Sequence, residues 1–179
     1  DRVYIVALDP RNGDIIGMTG KKINAETGEI LDSVHGVFNE NFIVGSSIKG
    51  ATVLAGYMSG VIDYNNNVLV DEPLTFKGPL TKKSLFNPSG RIAVNDIQAL
   101  EKSSNTYMMK IAMMIGGQNS YTYLEELSMK RDYTLDALRG YYAQFGLGVR
   151  TGIDLPSEST GFLGVPNESG QVLDESFGQ

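Results

Sequence analysis

Gly45-Ser46-Ser47-Ile48-Lys49 opens the most apolar helical stretch of the chain, which continues from Ala51 to Met58. Residues i and i+3 lie on the same face of a helix, so the Lys49 amine can lie beside the Ser46 hydroxyl. The stretch is apolar nearly all round, which is typical of a buried helix. Burial disfavours the ammonium form of lysine and lowers its pKa toward neutrality. A neutral Lys49 could then take the Ser46 proton as a general base.

A simpler interpretation of the same two residues is structural. Ser46 would cap the N-terminus of the helix, and the Lys49 stem would carry its charge to the surface. A motif as short as S-x-x-K also arises by chance, so it proves little alone. The apolar surroundings and a second motif, described below, favour the catalytic interpretation.

Composition limits the possible function classes. The 179 residues are 41% hydrophobic and 20% charged, which is ordinary for a globular protein. A net charge of −6, a pI near 4.8 and the lack of a basic stripe argue against a nucleic-acid partner. Cysteine is absent, which excludes disulfides and thiolate chemistry. The single histidine, His35, rules out a histidine-based metal cluster and argues against a Ser-His-Asp triad.

The coarse organisation combines one hairpin with several helices. Residues 1–20 predict a β-hairpin around Asn12-Gly13, a strong two-residue turn signal. Residues 45–60 predict the helix that carries Ser46, and residues 63–92 look irregular. Residues 95–146 form a helical region. The hairpin needs further strands that the remaining sequence does not offer, so we expect a fold that is incomplete within this chain.

Within the helical region, three separate helices are expected. The first begins near Asn95 and runs through Leu100, and the second runs from about Tyr107 to Ile115. The third covers about Thr134 to Phe145. Four methionines on the second helix are expected to fill the core, namely Met108, Met109, Met113 and Met114. The residues from 148 to 179 are rich in Gly, Pro and Ser, and no element is predicted there.

The second motif is Ser103-Ser104-Asn105, between two predicted helices. A loop at this place can present side chains to a cleft. A second hydroxyl near the Lys49 amine can pass a proton to a leaving amine. An asparagine amide can both donate to a substrate carbonyl and hold the lysine in place. The alternative interpretation is a helix end followed by a Ser or Asn cap.

In this order, the two motifs resemble those of the penicillin-binding proteins and serine β-lactamases. The chain most closely resembles the transpeptidase domain of class B penicillin-binding proteins of Gram-positive type. The fold this implies is α+β, an antiparallel sheet with helices. Six stretches carry the resemblance: Val6–Pro10, Gly13–Ile15, Gly45–Gly50, Ala99–Thr106, Phe145–Pro156 and Ser176–Gln179.

The resemblance implies an acyl-serine mechanism. Ser46 would be the nucleophile and Lys49 its base, while Ser103 would relay a proton. Asn105 would orient both the substrate amide and Lys49. The donor would be a peptidoglycan stem ending in D-Ala-D-Ala, and β-lactams would acylate the same serine. The Ser46 backbone N–H would be one oxyanion donor.

Further expectations follow from the same resemblance. Ser104 and Thr106 would contribute to substrate binding, and neither a cofactor nor a metal is expected. Cell-wall synthesis and division proteins would be partners, at the extracellular face of the membrane. No apolar run reaches the length of a membrane span, so the anchor would lie outside this chain.

One departure from the family pattern concerns its third motif, K-T/S-G on a central strand. Arg150-Thr151-Gly152 imitates it but runs directly into Ile153-Asp154-Leu155-Pro156, as in a separate loop of the family. We therefore interpret Arg150-Thr151-Gly152 as structural. The true motif would lie beyond residue 179, so this piece alone is expected to be nearly inactive.

Two alternatives stay open. One is a β-lactamase or D,D-carboxypeptidase of the same superfamily, which would need a deacylating base that the sequence does not reveal. The other is a non-catalytic β-lactam sensor or scaffold that kept the fold.

Overall fold

The computed structural model describes residues 1–78 and 80–179. They divide into two compact units, each built from two segments of the chain. Unit 1 comprises Asp1–Phe42 and Val149–Phe162, and unit 2 comprises Ile43–Gly148 and Leu163–Gln179. Antiparallel strands and helices give the α+β architecture that the resemblance implies.

Unit 1 contains an antiparallel sheet in the order β1-β2-β3. The strands are β1 (Arg2–Leu8), β2 (Ile15–Ile23) and β3 (Ile30–Asp32). The predicted hairpin is confirmed, and Gly13 at its turn has φ 81°. The expectation that no further strand would join it is wrong, because β3 pairs with β2. Three residues are too few to show the alternation that marks a strand in sequence.

The helix α1 (Gly36–Asn39) packs against the first two strands of this sheet. Gly36 is buried against the ring of Tyr4, and a Cβ at position 36 would collide with that ring. His35 precedes the helix and is exposed.

Unit 2 is mainly helical. A 3₁₀ turn (Gly45–Ile48) leads into α2, and the helices are α2 (Lys49–Met58), α3 (Asp96–Glu101), α4 (Asn105–Ile115), α5 (Arg131–Ala143) and α6 (Ser169–Glu175). The four predicted helices are present, although α4 and α5 both begin earlier than expected. Asn95 caps α3 through a reciprocal capping box with Gln98. The sequence missed α6, which lies in a stretch rich in helix-breaking residues.

Two small ribbons occupy the stretch that the sequence describes as irregular. The strands β4 (Leu69–Asp71) and β7 (Ile92–Val94) pair antiparallel, as do β5 (Leu74–Thr75) and β6 (Thr81–Lys82). With two or three residues each, these strands give no periodic signal. The prediction of an irregular segment is therefore wrong at these positions.

The core of unit 2 is centred on α4, which packs against α2, α5 and α6. Its buried side chains include Tyr107, Ile111 and three of the four methionines predicted to fill the core, Met108, Met109 and Met113. Met114 is partly buried against the same core. This packing fixes the N-terminus of α4, where the second motif lies. Among the described residues, no helix has the length and hydropathy needed to cross a bilayer.

Candidate active site

The first motif lies where the 3₁₀ turn meets α2, within unit 2. Ser46 is in the 3₁₀ turn with its side chain exposed. Lys49 is the first residue of α2 and is only 2% exposed. An exposed hydroxyl thus precedes a buried amine by one helical turn. This combination allows a substrate to reach the hydroxyl while water is largely kept from the amine.

The main chain before Ser46 is hydrogen-bonded to the main chain at residue 178. The Gly45 N–H donates to Gly178 O at 3.1 Å. Gly178 has φ 94°, which favours glycine, and a Cβ at this position would collide with the Gly45 main chain. The two glycines therefore pack backbone to backbone.

The Lys49 amine binds the second motif. Its Nζ donates to Ser103 O at 2.8 Å, to Ser103 Oγ at 2.9 Å and to Asn105 Oδ1 at 2.6 Å. An ammonium group has three N–H donors, and these three acceptors match them. The structure thus brings together Lys49, Ser103 and Asn105, as the sequence predicts.

Ser103 Oγ is hydrogen-bonded to both Ser46 Oγ and Lys49 Nζ. Its Oγ donates to Ser46 Oγ at 3.1 Å and accepts from Lys49 Nζ. The sequence predicts a direct contact between Lys49 and Ser46, whereas in the structure their hydrogen-bonded link runs through Ser103. Ser103 has φ 53°, an uncommon value for a residue with a side chain. Such a conformation costs about 1–2 kcal/mol, and here it lets one turn supply both an oxygen and a hydroxyl to Lys49.

Burial changes the acidity of the amine. It lowers the pKa of Lys49 from its ordinary value of 10.5 to about 8, and the negative charge of Asp71 opposes this change. The Phe177 ring centroid lies 5.9 Å from Nζ and adds a weak attraction for the cation. Near pH 8, about half of the Lys49 side chains are therefore neutral and able to accept a proton.

Asn105 is the first residue of α4, and its amide is oriented at both ends. Oδ1 accepts from Lys49, and Nδ2 donates to Lys83 O at 3.3 Å. The Asn105 backbone N–H donates to Ser84 Oγ at 2.9 Å. An amide nitrogen carries two hydrogens, so one Nδ2 hydrogen is left to meet a substrate carbonyl.

Ser104 and Thr106 do not fit their predicted role in substrate binding. Both are fully buried, at 0% exposure, and both hydroxyls donate to Asp71 Oδ2. Ser104 also caps α4 by accepting from the Tyr107 N–H at 3.0 Å. The expectation that these side chains contact substrate is wrong, because the side chains on either side of Asn105 point into the protein.

Sequence reasoning missed two residues that support the second motif, Asp71 and Ser84. Ser84 Oγ accepts the backbone N–H groups of Asn105 and Thr106 and donates to Asp71. Both residues lie in the stretch that looks irregular in sequence. The one available signal is a carboxylate that directly follows the apolar run Val68-Leu69-Val70.

The residues that imitate the third motif hold a local turn in unit 1. The Thr151 N–H and Oγ1 donate to Glu158 Oε1 at 2.7 and 2.6 Å. These bonds lower the pKa of the Glu158 carboxyl. Thr151 is thus engaged with its own loop, which supports the structural interpretation. Across residues 1–78 and 80–179, no cluster of acidic, histidine or cysteine side chains could hold a metal ion.

Taken together, the site offers an exposed hydroxyl and a hydrogen-bonded path from it to an amine. The exposed Ser46 hydroxyl is linked through Ser103 to an amine whose pKa is lowered to about 8. This arrangement suits acyl transfer to serine, in which a base accepts the hydroxyl proton as the oxygen attacks a carbonyl.

Comparison with known proteins identifies a family. The model of the penicillin binding protein transpeptidase domain matches residues 3–179. Penicillin-binding protein H of Bacillus subtilis is 45% identical over 181 residues, covering 100% of this chain and 25% of that protein. Penicillin-binding protein 2B of Streptococcus pneumoniae R6 is 35% identical, covering 99% of this chain and 26% of that protein.

Solved structures show the same fold. Penicillin-binding protein 2B of S. pneumoniae strain 5204 superposes with a TM-score of 0.90 at 34% identity, over 98% of this chain and 29% of that one. PBP2 of Pseudomonas aeruginosa gives a TM-score of 0.70 at 20% identity, over 98% of this chain and 42% of that one. The chain spans about a quarter of the length of the relatives it matches. It belongs to the penicillin-binding protein transpeptidase domain family.

Proposed function

We propose that the full-length protein is a D,D-transpeptidase that cross-links peptidoglycan stem peptides through an acyl-serine intermediate, and that β-lactams acylate the same serine. One observation carries the proposal. The exposed Ser46 hydroxyl is connected through Ser103 Oγ to the buried Lys49 amine, whose pKa is lowered to about 8. Membership of the family supports the choice of substrate.

The chemistry needs a proton to leave Ser46 and later reach a leaving amine. When Lys49 is neutral, Ser46 Oγ attacks the carbonyl of the penultimate D-Ala. Its proton passes to Ser103 Oγ while the Ser103 proton passes to Lys49 Nζ. As the C–N bond breaks, Ser103 Oγ donates its proton to the departing D-Ala nitrogen and regains one from Lys49 Nζ. The ester on Ser46 keeps the acyl group.

The second half of the reaction reverses these steps. An amine from a neighbouring stem attacks the ester carbonyl and loses a proton to Lys49. The proton returns to Ser46 Oγ as the ester bond breaks and a new amide forms. The Ser46 backbone N–H stabilises the oxyanion in both halves, and Asn105 Nδ2 donates to a substrate amide carbonyl.

The domain organisation, location and partners of the full-length protein follow from the same proposal. Residues 1–179 contribute to one transpeptidase domain, with the hairpin at 1–20, the nucleophile helix at 45–60 and the helical region at 95–146. Support comes from the family model, whose match at 3–179 covers segments of both units. The protein acts on the extracellular face of the cell membrane, with cell-wall synthesis and division proteins as partners.

Mass spectrometry of the full-length protein with a labelled penicillin tests the nucleophile. We expect one adduct, on a peptide that contains Ser46, and no adduct in Ser46→Ala. The matched control is Ser47→Ala, which removes the neighbouring exposed hydroxyl and should label like the wild type. Labelling that survives in Ser46→Ala would contradict the proposal.

The lifetime of the penicillin adduct and the reaction with stem peptides distinguish a transpeptidase from the alternatives. A transpeptidase should hold the penicillin adduct for long periods and should join a D-Ala-D-Ala stem to an added amine acceptor. Rapid release of hydrolysed penicillin would instead identify a β-lactamase, and water as the sole acceptor a D,D-carboxypeptidase. A stable adduct without any reaction on stem peptides would identify a sensor.

A further inference from the structure

The Asp71 carboxylate is a buried charge next to the second motif. Asp71 ends β4 and is 0% exposed. Its Oδ2 accepts from Ser84 Oγ at 2.6 Å, from Thr106 Oγ1 at 2.7 Å and from Ser104 Oγ. Its Oδ1 accepts from Asn87 Nδ2 at 2.9 Å. Every one of these contacts is a donor pointing at the carboxylate.

An asparagine amide could not replace the Asp71 carboxylate without losing hydrogen bonds. One oxygen collects three hydroxyl donors and the other collects an amide donor, so both ends of the side chain must accept. Ser84 has no spare lone pair for a new donor, since its Oγ already accepts the backbone N–H groups of Asn105 and Thr106. The substitution Asp71→Asn would therefore turn an NH₂ group toward either the three hydroxyls or Asn87 Nδ2, so that buried donors face each other.

The hydrogen bonds to Asp71 are connected to the Lys49 amine through the turn that contains Ser103 and Asn105. Ser104 and Thr106, which donate to Asp71, are the neighbours of Asn105 in the chain. Asn105 Oδ1 and Ser103 O accept from Lys49 Nζ. A displacement of residues 104–106 would therefore move Asn105 Oδ1 and, through the peptide bond between residues 103 and 104, also Ser103 O.

Other charged groups in this part of unit 2 have partners of their own or are exposed to solvent. Glu72, next to Asp71, binds two cations, Lys110 Nζ at 2.8 Å and Arg91 Nε at 2.7 Å. The negative charge of Asp71 raises the pKa of Lys49, although burial lowers it by more. On the helices that pack against α2, Asp96 on α3 accepts from Tyr57, Lys110 on α4 pairs with Glu72, and on α5 Arg131 pairs with Asp132 and Arg139 with Glu175. Glu101 on α3 and Asp136 on α5 are exposed to solvent.

We propose that Asp71 is a positioning residue for acyl transfer: it fixes the turn at 103–106 against Lys49 and supplies the negative charge that favours the ammonium form. The inference rests on the proposed function, because it concerns how readily Lys49 becomes the base for Ser46. Asp71 has no contact with a substrate in this role and acts through Ser84, Ser104 and Thr106.

The test is Asp71→Asn in the full-length protein, with the second-order rate of acylation by a fluorescent penicillin measured against pH. Two changes are expected. The midpoint of the rise in rate should move to lower pH, because Lys49 loses the charge that stabilises its ammonium form. The plateau should fall at least about tenfold, because the acceptors of Lys49 shift. A wild-type midpoint would overturn the proposal whatever the plateau, since a merely structural role would not move it.

Two further variants separate charge from position. Glu72→Gln removes an equal charge at the adjacent residue and should keep the wild-type midpoint. Ser84→Ala keeps the Asp71 charge but removes the hydroxyl that joins it to Asn105 and Thr106, so the midpoint should stay while the rate falls. If thermal unfolding shows that Asp71→Asn does not fold, Ser84→Ala decides: a wild-type rate overturns the proposal. A wild-type protein that is not acylated at any pH would instead overturn the proposed function.

Discussion

The hydroxyl oxygens of Ser46 and Ser103 lie 3.1 Å apart, although Ser46 is in the 3₁₀ turn before α2 and Ser103 is in the turn between α3 and α4. Ser103 Oγ is also bound by Lys49 Nζ, so a single hydroxyl touches both the proposed nucleophile and its base. This places Ser103 on the path by which a proton would leave Ser46, rather than only on the path to the leaving group.

Replacing Ser103 by alanine should therefore slow acylation itself. We expect the second-order rate with a fluorescent penicillin to fall about 10²–10⁴-fold, the range typical of a lost acid–base group. Stopped-flow fluorescence on the full-length protein measures it. Ser47→Ala is the control, because this exposed hydroxyl donates only to Val44 O in the 3₁₀ turn. A wild-type rate in Ser103→Ala would mean that Lys49 reaches Ser46 directly.

The lowered pKa of Lys49 predicts a pH dependence of known sign. The active form is the neutral amine, so the acylation rate should rise with pH through a midpoint near 8, where burial places the pKa. Below that midpoint the ammonium form dominates and the rate should fall about tenfold per pH unit. Lys49→Arg keeps a permanent cation at the site and should stay inactive at every pH. A flat profile across the midpoint would show that another group is the base.

A buried threonine on α2 is hydrogen-bonded to both α5 and the C-terminus of α6. Thr52 Oγ1 donates to Ser176 O at 2.7 Å and is bonded to Tyr142 Oη at 2.8 Å. Thr52→Val keeps the shape but leaves both partners without this bond, so the free energy of unfolding should fall by about 1–3 kcal/mol. Urea unfolding measures it. Thr81→Val, at an exposed site, should change it by less than about 0.5 kcal/mol. Equal effects of the two substitutions would contradict the importance of this connection.

Local sequence signals predict much of the fold and half of the site. Asn12-Gly13 marks the hairpin, Asn95 marks the start of α3, and the apolar run from Ala51 to Met58 marks α2. Each of these features depends on residues close to each other in the chain. They can be recognised without knowledge of the rest of the chain.

The remaining features depend on contacts between distant segments. Asp71 meets Ser84 and Thr106 only after the short strands of unit 2 have paired, and none of those strands has a periodic pattern. The left-handed φ of Ser103 is imposed by its surroundings, since serine has no preference for it. The order Lys49, Ser103, Ser46 follows from that conformation, and sequence spacing alone favours a direct contact instead.

The backbone packing of Gly45 on Gly178 has a consequence for how this protein can evolve. Position 178 offers no functional group, yet even a methyl there would collide with the main chain of Gly45, next to the proposed nucleophile. A saturation scan should therefore find position 178 almost as intolerant as position 46, which would look like catalytic importance in survival data. Glycine would be required at position 178 because no side chain fits there, and not because the residue takes part in a reaction.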